Sequence, residues 1–231
     1  MFLHRSLRKL RKVGQSLQST SCGWARRMVF LHNRSFSIIS SNCLGGEIYR
    51  RYALPYRTPT VGLFFWGEDY IRFVENLERN LKSPISFRTH SQHEAINEMR
   101  SRRALHYPVG VINDIEIQFL HYDSEAEARA KWVRRCARVN PDNLFFIYND
   151  LDGFKDEYLI RFEKLHFPRK LFLSARHLPF ECCVHINEYE GEPCIGDLFK
   201  DPYLTRHVDV SRWLNGNGIQ PGAGRNEGIA C

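Results

Sequence analysis

Residues 143–174, NLFFIYNDLDGFKDEYLIRFEKLHFPRKLFLS, read as strand, helix, strand. Asn143–Tyr148 is an apolar run of strand length, Lys155–His166 a helix, and Lys170–Ser174 a second apolar strand. Strands that alternate with helices in this way predict a mostly parallel sheet covered on both faces. Moving towards the N-terminus, Asn140-Pro141 stops a helix that opens at Ser124, where Glu127 completes a capping box. Val109–Ile112 and Ile115–Tyr122 are strands joined by the turn dipeptide Asn113-Asp114, so part of the sheet is expected to be antiparallel. Residues 89–107 are polar and basic, a helix plus loop, and Ile85–Arg88 is a short strand. Glu68–Lys82 is a helix with Tyr70, Phe73, Val74, Leu77 and Leu81 on one side. Thr60–Phe65 and Phe36–Ser40 are further strands. Towards the C-terminus come a strand, Cys182–Ile186, and a helix, Val210–Leu214. The expectation is one α/β domain over 35–214, its sheet mostly parallel or mixed, with helices on both faces. From Asn215 onward, five Gly and one Pro in 17 residues predict a disordered tail, 215–231.

Charge is distributed unevenly along this frame. The 231 residues carry +7, yet residues 1–46 hold eight bases and no acid, which leaves the rest at −1. The basicity therefore belongs to an arm, 1–34, and the body offers no general case for nucleic-acid binding. Within the arm, Leu3, Leu7, Leu10 and Leu17 fall near one helical face. That pattern fits a basic amphipathic helix on an anionic membrane, and equally a solvated leader; an Arg- and Ser-rich organellar transit peptide is a third reading. No run approaches transmembrane length. Seven cysteines with no C-x-x-C pair fit neither a disulfide framework nor a zinc ribbon, and the simpler expectation is a reducing, cytoplasmic setting. The high aromatic count, 16 Phe, 10 Tyr and 4 Trp, predicts a large core.

Ligands in such folds gather beyond the carboxyl ends of the strands. After Ile38-Ile39 the chain reads Ser40-Ser41-Asn42-Cys43-Leu44-Gly45-Gly46. Here Asn42, Cys43, Gly45 and Gly46 form a small-residue turn whose free N–H groups suit an anion, or a tight turn with a packed thiol. After the next strand, Asp150 and Asp152 are spaced to share Mg²⁺ or Mn²⁺ with a diphosphate, or to shape an Asx-type turn at Asp152-Gly153. On the helix from Ser124, Lys131, Arg134, Arg135 and Arg138 share a broad face, either phosphate-binding or solvated. His121, at a strand end, is a candidate acid–base residue or a hydrogen-bonded structural histidine. His90-x-x-His93 lacks the further ligands of a zinc site.

Several segments in combination, IISSNCLGG (38–46), PTVGLFF (59–65), YPVG (107–110), DIEIQFLHY (114–122), KWVRR (131–135) and 143–153, resemble a bacterial family of unknown function commonly labelled exopolysaccharide biosynthesis protein. The resemblance spans roughly residues 35–190. It implies a surface-glycan setting and carries no established catalytic residue across. Cys22, the Cys182-Cys183 pair and the Gly-rich tail are not features of that family's pattern. Together these readings predict a metal-assisted sugar or phospho-sugar transferase at the inner membrane face, acting on a nucleotide-linked or lipid-linked sugar. In it Asp150 and Asp152 hold the metal, the 42–46 turn and the arginines hold phosphates, and His121 moves a proton. The alternative is a non-enzymatic accessory module of a glycan-assembly complex.

Overall fold

The computed structural model describes residues 22–196 and 203–219. The readings of the leader before residue 22 and of the tail beyond residue 219 lie outside the described residues. Four strands, β1 (Ser37–Ser40), β5 (Leu144–Asn149), β6 (Lys170–Ser174) and β7 (Cys183–His185), form an all-parallel sheet in that order. Three more, β2 (Ser86–Arg88), β3 (Val109–Ile112) and β4 (Ile115–Gln118), form an antiparallel sheet. The expected α/β class is therefore present, with parallel and antiparallel pairing segregated into two sheets and not mixed in one.

The parallel strands bury alternate side chains on opposite faces, as their period of two requires. Ile38, Phe145, Ile147, Leu171 and Leu173 pack under α2 (Leu44–Arg51) and α9 (Val210–Leu214). Ile39, Phe146, Tyr148 and Phe172 pack on the other face against α3 (Glu68–Glu75) and α7 (Asp156–Lys164). There Tyr70 and Tyr148 bring their ring centroids to 4.8 Å. Helix α6 (Glu125–Cys136) joins the same core through Trp132, which meets Phe73 and Phe119 edge-on.

Local chemistry explains most element ends. Asn113 and Asp114 both take positive φ, 47° and 64°, as the tight turn between β3 and β4 demands. Ser124 Oγ accepts from Glu127 N at 3.2 Å, while Glu127 Oε2 reaches Asp123 N at 3.0 Å. The predicted Glu68–Lys82 helix breaks at Asn76 into α3 and α4 (Leu77–Lys82). The break strips partners from the last carbonyls of α3, and Asn80 Nδ2 replaces them, donating to the oxygens of Arg72 and Phe73 at 3.3 and 3.0 Å.

Thr60–Phe65 is not a strand. It bridges the two sheets one residue at a time: Phe65 N donates to Ser41 O at 2.9 Å, and Phe64 exchanges backbone bonds with Gln118. Gly62, at φ +73°, bends the chain between. The same segment closes the outer edge of β1. Its outward amides at Ile38 and Ser40 donate to Tyr49 OH (3.2 Å) and Thr60 Oγ1 (3.0 Å). Its outward carbonyls at Phe36 and Ile38 accept from the same two hydroxyls.

Residues 22–34, part of the expected arm, belong to the packed body. Residues 22–30 are helical (α1), Leu31 is buried in the core beside α2, and Arg27 donates to Ala53 O at 3.2 Å. Asn215 accepts from His32 N and Asn33 N and donates to Phe30 O, tying this segment to the end of α9. Cys43, Cys136, Cys182, Cys183 and Cys194 are free thiols, whereas Cys22 is disulfide-bonded, which does not follow from a uniformly reducing setting.

Gly45 and Gly46 let α2 lie directly on the sheet. A Cβ on Gly45 would stand 3.0 Å from Ile38 Cγ2 and from Ser40 Cβ, and one on Gly46 would stand 3.3 Å from Val61. Gly45→Ala should therefore destabilise the fold by about 1–3 kcal/mol through overpacking. Urea unfolding would show it as a lower midpoint at an unchanged m-value; an unaltered midpoint would mean that the helix can lift without penalty.

Candidate functional site

Because β1, β5 and β6 are parallel, they deliver Ser41–Cys43, Asp150–Gly153 and Ala175 to one edge of the sheet. The two aspartates that follow β5 behave oppositely there. Asp150 is buried, and its carboxylate is fully engaged. Oδ2 accepts from Ser174 Oγ and Ala175 N, both at 2.8 Å, and Oδ1 accepts from Ile195 N at 2.8 Å. Three donors occupy most of the lone-pair sites of this carboxylate. Among the described residues, no group of three or more His, Cys, Asp and Glu is placed to hold a metal ion.

Asp152 is only partly buried, yet its carboxylate accepts no hydrogen bond from a described residue. Its backbone sits at φ 55°, locked by a bond from Gly67 N to its carbonyl. Desolvation by the surrounding protein, uncompensated by any donor, pushes its pKa up to about 7. Its charge adds to the upward shifts of Cys43, Tyr107, Tyr148 and Cys194, which burial dominates. Among the described residues, Ser41 Oγ, Tyr107 OH and Gln118 Oε1 are also buried without a hydrogen-bond partner. Such atoms are rare in folded proteins and are typical of sites that meet a ligand or water.

Trp66 stands beside Asp152. Gly153, at φ +75°, runs so close to the indole that a Cβ would meet Trp66 Cε2 at 2.5 Å. His93 also lies near Trp66, with ring centroids 6.4 Å apart. His93 Nε2 is 2.7 Å from Asp69 Oδ2; the Asp69 side chain is 2% exposed and that of His93 25%. This hydrogen bond raises the His93 pKa, while burial raises that of Asp69. His93 Nδ1 makes no hydrogen bond to a described residue. Glu116, buried next to this pair, accepts from Arg88, Ser91 Oγ, Gln92 N and Gln118 Nε2. It fastens the loop that carries His93 to β4.

The remaining sequence candidates are placed as follows. Asn42 Oδ1 accepts from Leu44 N at 3.1 Å, an Asx turn. Gly45 and Gly46 approach their own sheet and Val61. Cys43 points its thiol at Leu63 O, and burial pushes its pKa up to about 11, so it is a packed thiol at neutral pH. Arg135 turns inward, donating to Tyr122 OH and Val61 O, while Arg134 and Arg138 are exposed. The three arginines thus do not form one phosphate clamp. His121 is exposed beside Gly62.

Trp66, Asp69, Tyr107 and Gln118 are not among the sequence candidates, and His93 is considered there only as a zinc ligand. One signal was available: Asp69 lies four residues before Phe73, a carboxylate on the apolar side of α3. Glu116 and Gln118 alternate with Ile115, Ile117 and Phe119, a pattern that reads as solvent-facing. It is buried because α5 (Glu94–Arg102) covers that face, with Ile96 packed on Phe64, Tyr107 and Val109.

The sequence profile of a family described as a domain of unknown function (DUF1919) matches residues 16–215. An uncharacterized protein of Haemophilus influenzae is 32% identical over 192 residues, 80% of this chain and 86% of that protein. The profile's span takes in both sheets and every site residue named above.

The two aspartates predict opposite stability effects. An acid whose folded pKa lies above its unfolded value opposes folding as it ionises, so Asp152 removes stability as pH rises from about 4 to about 7. Asp152→Asn, which tolerates the left-handed backbone, should melt above wild type at pH 8 by at least about 2 °C, with the gap closing at pH 4. Asp150→Asn sets an amide NH₂ against a donor and should lose about 1–3 kcal/mol at pH 8. Melting curves at both pH values check this; equal shifts for the two variants would contradict the assignment.

Proposed function

The chain belongs to the DUF1919 family, and from that premise we propose that it is an acid–base enzyme of surface-glycan assembly. On this reading it transfers a sugar or phospho-sugar from a nucleotide-linked or lipid-linked donor to an acceptor hydroxyl. The observation that carries the proposal is the Asp152 carboxylate, desolvated and without a donor beside the half-buried indole of Trp66. A base poised near the working pH combines availability with proton affinity. An aromatic wall beside hydroxyl and amide groups suits a sugar, which presents both C–H faces and hydroxyls. The glycan setting rests on the family resemblance carried by residues 38–46, 59–65 and 107–153.

In the reaction, the acceptor hydroxyl gives its proton to Asp152 as its oxygen bonds to the donor's sugar carbon or phosphorus. The bond to the departing phosphate breaks, and its electron pair leaves with the phosphate. His93, oriented by Asp69, is the second proton-transfer group and takes the role that sequence alone gave to His121.

The test is turnover of radiolabelled nucleotide sugars with an acceptor panel between pH 5 and 9. The rate should rise through about pH 7 as Asp152 ionises. Asp152→Asn should lose on the order of 10²-fold in kcat with donor binding kept. Full activity in that variant would overturn the assignment, and binding without turnover across the panel would favour an accessory module.

A further inference from the structure

Large apolar side chains exposed singly are ordinary on a protein surface, but a cluster of them is a contact site. Among the described residues, five large hydrophobic side chains are exposed, and three of these lie within one six-residue stretch of α1: Trp24 at 54%, Met28 at 47% and Val29 at 60%. At 100° per residue they share one side of the helix. The opposite side is committed to the fold, through Arg27 on Ala53 O and Gly23 packed on Arg51 O. The apolar face is thus held rigidly outward. The other two exposed hydrophobics, Val133 and Ile160, are on α6 and α7, far along the chain.

Charge identifies what covers this face. The segment that carries it, residues 1–46, has eight bases and no acid, against −1 for the rest of the chain. A cationic segment with an exposed Trp, Met and Val matches an anionic bilayer, where an indole settles at the headgroup level and basic residues pair with lipid charge. A protein partner would need a large acidic surface to do the same. No described helix is long and apolar enough to cross a membrane, so such contact is peripheral.

We propose that the Trp24–Met28–Val29 face of α1 docks the protein onto anionic lipid, with these side chains entering the headgroup–acyl boundary. The inference is independent of the reaction performed at the sheet edge.

The experiment uses the full chain with vesicles of equal parts phosphatidylglycerol and phosphatidylcholine, compared with phosphatidylcholine alone. Wild type should sediment with the anionic vesicles at low salt and be released by high salt. Its tryptophan emission should shift to the blue on binding. Trp132 and Trp213 are buried and Trp66 is half-buried, so the comparison with Trp24→Phe assigns the shift to Trp24. Trp24→Phe should keep binding and lose most of the shift. Trp24→Ser with Met28→Ser should bind at least about tenfold more weakly, with unchanged circular dichroism and melting temperature. Three outcomes would overturn the proposal: equal binding by the double variant, no sedimentation at low salt, or a wild-type dimer that the double variant abolishes, since a second copy would then own the face.

Discussion

A carboxylate buried at the end of a strand must be met by donors, and the site edge is organised by the way Asp150 is met. Its three hydrogen bonds draw in the last residues of β6 and the backbone at Ile195. Segments 45 residues apart in sequence are thereby joined at one charge. Because Asp150 consumes these donors, the turn that follows leaves Asp152 with none. The left-handed backbone at Asp152 and Gly153 then carries the second carboxylate up to Trp66. One aspartate holds the edge in place, and its neighbour is left without a donor among the described residues.

The elements legible in the sequence are those whose cause is local. The strand–helix–strand run of 143–174, the Asn113-Asp114 turn, the Ser124 cap and the Val210–Leu214 helix all emerge with boundaries shifted by a residue or two at most. Where pairing depends on distant partners, the reading departs from the structure. Thr60–Phe65 has strand composition, but the two sheets claim it alternately. Glu116 and Gln118 look like an outer face and are buried by a helix that the local pattern cannot position. The site follows the same rule. Asp150 and Asp152 were visible as a pair, whereas their division of labour depends on Ser174 and Ile195. The Asp69–His93 contact joins residues 24 apart and leaves no spacing motif.

The two proposals fall at different ends of the parallel sheet. Helix α2 starts beside the strand ends that carry Asp152 and runs back about 12 Å, at 1.5 Å per residue, to the end where α1 packs. The proposed lipid contact through α1 therefore lies at the end of α2 away from those strand ends.

The hydroxyls of Tyr49 and Thr60 have a consequence for how copies of this chain meet. An open strand edge is a template on which another chain can add itself, and it is a common origin of fibrils and swapped dimers. Here the outward amides of Ile38 and Ser40 and the outward carbonyls of Phe36 and Ile38 are already answered from within the molecule. A strand added at that side would have to displace these hydroxyls. Recognition by strand addition is thus disfavoured at this edge, and contact made there must be built from side-chain surfaces.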